Sequence, residues 1–209
     1  MSLRILDLAD WPRAARFRLF RSYDRPHFAV TARVDATRLM AARKPTGVSA
    51  YRASAHAVGA AIHAVPELRM RFRGDIVTEY DRIGLAIAVP LADGTVRHGE
   101  VVHDPDYARF AANFAAAEAQ AKTDAAAAQG RGARDDLVYL SCLPWLDYTA
   151  LDSALTGPDD CIPRVCWGRI GPSAAGHDMA MTLQCHQALV DGFHVARFFS
   201  EVERVLNAA

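Results

Sequence analysis

Apolar and polar positions along this chain change period several times, and each change predicts an element. Phe28 to Val34 alternates every second residue, as a half-buried strand does. Ser49 to Val65 shifts to helical spacing, with Ala53, Ala57, Ala60, Ala61 and Ala64 as its apolar face and Pro66 as its stop. Arg69 to Phe72 and Ile76 to Tyr80 read as short strands joined at Gly74-Asp75, a tight-turn pair. Ile83 to Val89 is apolar nearly throughout, as expected of a central strand, and Gly94 leads into another near Thr95 to Val102. A helix from about Pro105 to Ala128 precedes strands at Leu137 to Ser141, Arg164 to Ile170 and Met179 to Cys185. The last helix, from about Gly192 to Asn207, sets Val195, Phe198, Phe199, Val202 and Val205 on its buried face. Near the start, Asp10 caps a short helix, Trp11 to Phe20, with Pro12 in its first turn. Segregated helices and mostly hairpin-connected strands make one α+β domain spanning residues 1–209, a mixed sheet covered by helices.

Composition narrows the function classes. The chain has 209 residues, half of them apolar, enough for one core without disulfides or metal. Lys+Arg and Asp+Glu balance at 24 each, so no charged surface for nucleic acid or an anionic membrane is expected. The apolar runs are too short to span a bilayer, and the first residues lack a signal-peptide pattern. Cys142, Cys161, Cys166 and Cys185 show no paired metal-ligand spacing, which points to free thiols, no metal and a cytoplasmic setting. Ala111 to Gln129 is Ala-rich and reads as a solvent-facing helix, with Gly130-Arg131-Gly132 a place for local disorder.

The chemistry concentrates where the last strand meets the last helix, at Gln184-Cys185-His186-Gln187-Ala188-Leu189-Val190-Asp191-Gly192-Phe193-His194. Alone, Asp191-Gly192 is a helix cap in a tight turn. Its company changes that reading. Trp11-x-Arg13-x3-Phe17-x2-Phe20, Pro66-Glu67-Leu68-Arg69-Met70 and Ser141-Cys142-Leu143-Pro144-Trp145-x2-Tyr148-Thr149 precede it along nearly the whole chain. These four blocks, in this order, resemble the chloramphenicol acetyltransferase family.

The resemblance implies acetyl transfer from acetyl-CoA, as cosubstrate, to a hydroxyl of a small-molecule acceptor such as chloramphenicol. It also implies a homotrimer with active sites between subunits. Carried over residue by residue, Ser141 hydrogen-bonds the oxyanion, and Asp191 pairs with Arg13 to hold the loop carrying the base. Trp145 lies on the CoA channel, and Phe20 and Phe28 match regions near the acceptor. The base itself maps onto Gln187, whose carboxamide accepts a hydrogen bond but does not titrate. Losing a general base costs roughly 10²–10⁴-fold in rate. His186 and His194 match histidines of the family pattern that are not the base, and both read as structural. His27, His56, His63, His98, His103 and His177 remain as substitutes, none singled out by spacing. Two further departures are the charged Asp24-Arg25-Pro26-His27 segment and Cys166, where the family tends to place threonine. The readings are a weakly active acetyltransferase or, alternatively, a catalytically silent homologue binding CoA or a small hydroxyl ligand. The acyltransferase core of a 2-oxo-acid dehydrogenase complex shares the corner motif, but no lipoyl or linker segment is expected ahead of this domain.

Overall fold

The computed structural model describes residues 2–123 and 134–208. The alternating segments assemble into a mixed seven-stranded sheet. Its main path runs β2 (His27–Asp35), β10 (Gly176–His186), β8 (Arg164–Gly168), β7 (Leu137–Leu143), β5 (Gly84–Pro90) and β6 (Val96–Val102). The short β9 (Gly171–Ser173) pairs with β10. β7 runs parallel to both β5 and β8, and the remaining pairs are antiparallel. A smaller antiparallel sheet has the order β1 (Leu3–Leu6), β4 (Ile76–Tyr80), β3 (Met70–Arg73). The turn between β3 and β4 uses Gly74 at φ 55°, a conformation that suits glycine.

Helices α2 (Thr37–Thr46), α3 (Ala50–Ala64), α4 (Tyr107–Thr123) and α5 (Gly192–Leu206) cover one face of the large sheet, and α1 (Ala14–Arg21) packs Phe17 against Phe72 of β3. α3 packs on α5, and α4 lies against β6. Val58 and Ile62 of α3, Val195, Phe198 and Val202 of α5, and Phe110 and Phe114 of α4 are buried in one core. Under it lie Leu85, Ile87, Leu140, Val165 and Leu183 of the strands. A single core beneath one helical layer matches the expected α+β class.

Five expectations need correction. The first helix starts at Ala14 and not Trp11, with Arg13 and not Asp10 at its N-cap. The inward face of α3 is broader and rotated: Ala55, Val58 and Ile62 are buried with Ala57 and Ala61, whereas Ala53 and Ala60 are half-buried and Ala64 is exposed. Three neighbouring helices, α2, α4 and α5, contact α3, so its contact face exceeds one stripe. α4 is not simply solvent-facing, because Phe110, Phe114, Ala117 and Ala121 form a buried stripe. The strand expected at Arg164 to Ile170 stops at Gly168. β1 had no alternation signal, since four residues give too few periods, and pairing with β4 is what makes it a strand. The expectations for Ala128 and for Gly130-Arg131-Gly132 lie outside the described residues.

Candidate functional site

At the end of β10 the backbone leaves the sheet at Gln187, whose N–H still donates to the Pro26 carbonyl at 2.9 Å. The chain turns through Ala188, Leu189 and Val190, all buried, and reaches Asp191. Asp191 caps α5 by accepting from the Phe193 N–H at 3.1 Å, while its own N–H donates to His194 Nδ1 at 3.1 Å. A histidine thus fills the place glutamate usually takes in such a reciprocal cap. Arg13, just ahead of α1, donates from Nη1 to Asp191 Oδ2. Burial alone would raise the Asp191 carboxyl, but the guanidinium overrides it and holds the group below its usual range.

Behind this pair stands Glu67, whose carboxylate meets His194 Nε2 at 3.4 Å. His194 lowers the Glu67 carboxyl in turn. Arg13, Asp191, His194 and Glu67 therefore form one polar chain that ties three elements to the corner. Glu67 had been visible only as part of a motif block, and no spacing rule joins it to His194.

His186 is closed off from solvent. It is 2% exposed, its Nδ1 accepts the Ala188 N–H at 3.1 Å, and its Nε2 donates to the Pro158 carbonyl at 2.9 Å. Burial pushes its pKa down to about 4, with nearby His27 adding to the effect. The structural readings of His186 and His194 fit these contacts. Phe20 packs edge-on against Tyr23, and Phe28 pairs with Cys185, so both lie toward the Gln187 end. A cavity of about 520 Å³ opens there, lined by Asp24, His27, Phe28, Asp152 and Gln184.

Ser141 stands elsewhere. It pairs with Cys166 across β7 and β8, and Cys166 pairs with Thr182 on β10. Thr182 is thus about 10 Å from Ser141, two strand spacings away. Gln187 lies five positions further along β10. At ~3.3 Å per residue, Ser141 and Gln187 of one chain are roughly 20 Å apart. Trp145 lies in the opposite direction, past the C-terminal end of β7, and is 76% exposed. One copy of the chain does not bring these residues together.

The loop carrying Trp145 is nevertheless well seated. Tyr148 donates to the Cys166 carbonyl at 2.8 Å, and its hydroxyl accepts from Thr182 at 3.3 Å. Gly168 lets the loop backbone approach, since a Cβ there would sit 2.6 Å from the Leu146 carbonyl oxygen. Burial raises the Cys166 thiol, while the Tyr148 and Ser141 hydroxyls oppose the shift. Beside the loop a cavity of about 310 Å³ is lined by Tyr51, Cys142, Pro144, Trp167 and Arg169. Tyr51 and Arg169 carried no signal in the sequence, because distant elements bring them together. A more voluminous cavity, about 840 Å³, lies on the helical side among Leu39, Val48, Ala53, Tyr107 and Val205, away from Ser141 and Gln187.

Comparisons with known proteins agree with this architecture. The chain is 25% identical to chloramphenicol acetyltransferase 2 of Escherichia coli over 212 residues, covering 97% of this chain and 96% of that protein. It is 24% identical to chloramphenicol acetyltransferase 2 of Haemophilus influenzae, with coverage of 99% and 98%. A solved chloramphenicol acetyltransferase superposes with a TM-score of 0.87 at 21% identity, over 99% of this chain and all of that one. The dihydrolipoamide acetyltransferase of Azotobacter vinelandii follows the same fold, with a TM-score of 0.68 at 16% identity and coverage of 92% and 86%. The family model for chloramphenicol acetyltransferase matches residues 1–203, and the chain belongs to that family.

Proposed function

We propose that this protein transfers acetyl from acetyl-CoA to a hydroxyl of a small acceptor, chloramphenicol being the acceptor to try first. In this reading the reaction takes place between copies of a homotrimer. One copy contributes Ser141 and Trp145, and its neighbour contributes the corner held by Arg13 and Asp191. The observation that carries the proposal is the Arg13–Asp191 pair, which ties the buried turn after Gln187 to the start of α1. The separation of about 20 Å between Ser141 and Gln187 within one chain supports a shared site. Exposed Trp145, Leu146 and Phe193 supply apolar surface for association. Arg169, at the cavity beside the Trp145 loop, suits a phosphate of the CoA nucleotide. Four free cysteines suit a reducing, cytoplasmic compartment.

In the mechanism, Ser141 donates its hydroxyl to the oxygen of the thioester carbonyl as negative charge collects there. Gln187 accepts a hydrogen bond from the attacking hydroxyl and orients it, but takes no proton. Turnover therefore falls short of what a base at that position provides. Gln187 also favours a second reading, a silent homologue that binds CoA without turning it over.

Release of CoA thiol from acetyl-CoA and chloramphenicol tests both. Turnover within about 10²-fold of the typical kcat of ~10 s⁻¹ excludes the silent reading. Gln187→His should raise turnover at least about tenfold, a conservative share of what a general base contributes. No gain in a variant that still binds acetyl-CoA would remove Gln187 from the base position.

A further inference from the structure

Building on the reading of Ser141 as the oxyanion donor, we propose that His98 of the same chain is the proton acceptor of this site. The residues that place it are on three adjacent strands. Ile87 of β5 pairs with Leu140 of β7, so the next positions along these parallel strands are Ala88 and Ser141. Ala88 pairs in turn with His98 on β6. Ser141, Ala88 and His98 thus form one row across the sheet, and residues in register share a face.

That face carries none of the described helices α2 to α5. Leu140 and Ile87, the immediate neighbours of Ser141 and Ala88, are buried in the core. Gly99, next to His98, lies under α4, where a Cβ would stand 3.2 Å from the Ala117 carbonyl oxygen. Successive strand residues point to opposite faces, so His98 and Ser141 both point away from the helices. The two halves of the row differ. Cys166 and Thr182 are buried beneath Tyr148, whereas Ser141 and His98 are exposed with half-buried Ala88 between them. Two strand spacings separate Ser141 from His98, about 10 Å, and the only side chain between them in the row is the Ala88 methyl. A hydroxyl and an imidazole leaning in from its two ends leave room for one carbonyl carbon and one attacking oxygen. A general base must come within about 3 Å of the proton it takes, and this span permits it.

The other histidines lie elsewhere in the fold. His27 and His186 hold the Asp160 and Pro158 carbonyls near the Gln187 end, and His194 holds Asp191. His56, His63 and His103 pack ring against ring on the helical side. His177 pairs with Pro172 in the hairpin at the far end of β10.

The step balances without another reactant. His98 takes the acceptor's hydroxyl proton as its oxygen bonds to the thioester carbon, and Ser141 donates to the oxyanion. The C–S bond then breaks, and the proton passes from His98 to the CoA thiolate, leaving the acetyl ester and free CoA.

The test measures thiol release from acetyl-CoA, once with chloramphenicol and once with water as the only acceptor. It compares wild type, His98→Asn, His98→Gln, and His98→Asn combined with Gln187→His. The two amides keep hydrogen bonding at either ring nitrogen but take no proton. Both should lower kcat at least about 10²-fold while acetyl-CoA binding, followed by calorimetry, and Tm stay unchanged. In the combined variant the imidazole at 187 should recover at least tenfold of that loss. Wild-type kcat in either amide variant would overturn the assignment, as would an effect confined to KM. Failure of wild type to release thiol above buffer with either acceptor, while still binding acetyl-CoA, would also overturn it. A protein that does not bind acetyl-CoA at all would instead remove the acetyltransferase reading beneath it.

Discussion

The two ends of the large sheet hold their residues by different means. At the Gln187 end, side chains grip side chains: Arg13 to Asp191, His194 to Glu67, and rings packed edge to face around His186. At the Ser141 end, the backbone is gripped: Tyr148 bonds the Cys166 carbonyl, the Arg169 N–H bonds the Leu146 carbonyl at 2.7 Å, and Gly168 clears the space between. The first end is half-buried and charge-paired, and the second leaves Trp145 and Ser141 in the open. A corner fixed by ion pairs resists displacement but answers to pH. A loop fixed by backbone contacts answers to volume instead.

The largest effect expected from this contrast is at Gly168. Gly168→Ala sets a methyl against the Leu146 backbone, which cannot rotate away, so the Trp145 loop must move. Displacements of about 1 Å near a reacting centre cost up to ~10²-fold, and kcat/KM for acetyl-CoA should fall by roughly 10–10²-fold. Unchanged steady-state kinetics would show that the loop has no part in cosubstrate binding. Next is Arg13→Ala. The side chains are 14% and 26% exposed, so the pair ranks between buried and surface cases and its loss should cost about 1–3 kcal/mol. Thermal unfolding should register this as roughly 5 °C in Tm; an unshifted Tm would mean the pair does not anchor the corner.

The smallest effect is the acid response of the same end. His186 is held neutral, with a pKa of about 4 in the fold against 6.5 as its ordinary value. The unfolded chain therefore binds the proton first, and the contribution is complete above about pH 6.5 and gone near pH 4. His103, held at about 3 chiefly by burial, adds to the loss over the same range. His186→Asn should flatten part of the decline in Tm between pH 6.5 and 4. An identical slope in the variant would show that His186 has no part in the acid response.

Much of the fold was legible along the chain, because the period of apolar residues reports which face of an element meets the core. β2, the β3–β4 hairpin and α5 fall close to where alternation, the Gly74 turn and helical spacing put them. β1 was not legible, since a strand of four residues exists only through its partner. The Arg13–Asp191 pair was expected from motif blocks alone, its members 178 positions apart. Glu67, Tyr148 and Gly168 were not singled out, because their roles come from contacts that no local spacing encodes.

Sequence by itself determined the order of elements, the polar corner at Asp191 and the amide at position 187, since these are local choices of residue and period. Which residues share a row was decided by the sheet. Strand order set Ser141 beside Ala88 and His98 while carrying Gln187 about 20 Å away. The physical reason is that β5, β6, β7 and β10 meet through inter-strand hydrogen bonds, whose register forms only when distant segments of the chain come together.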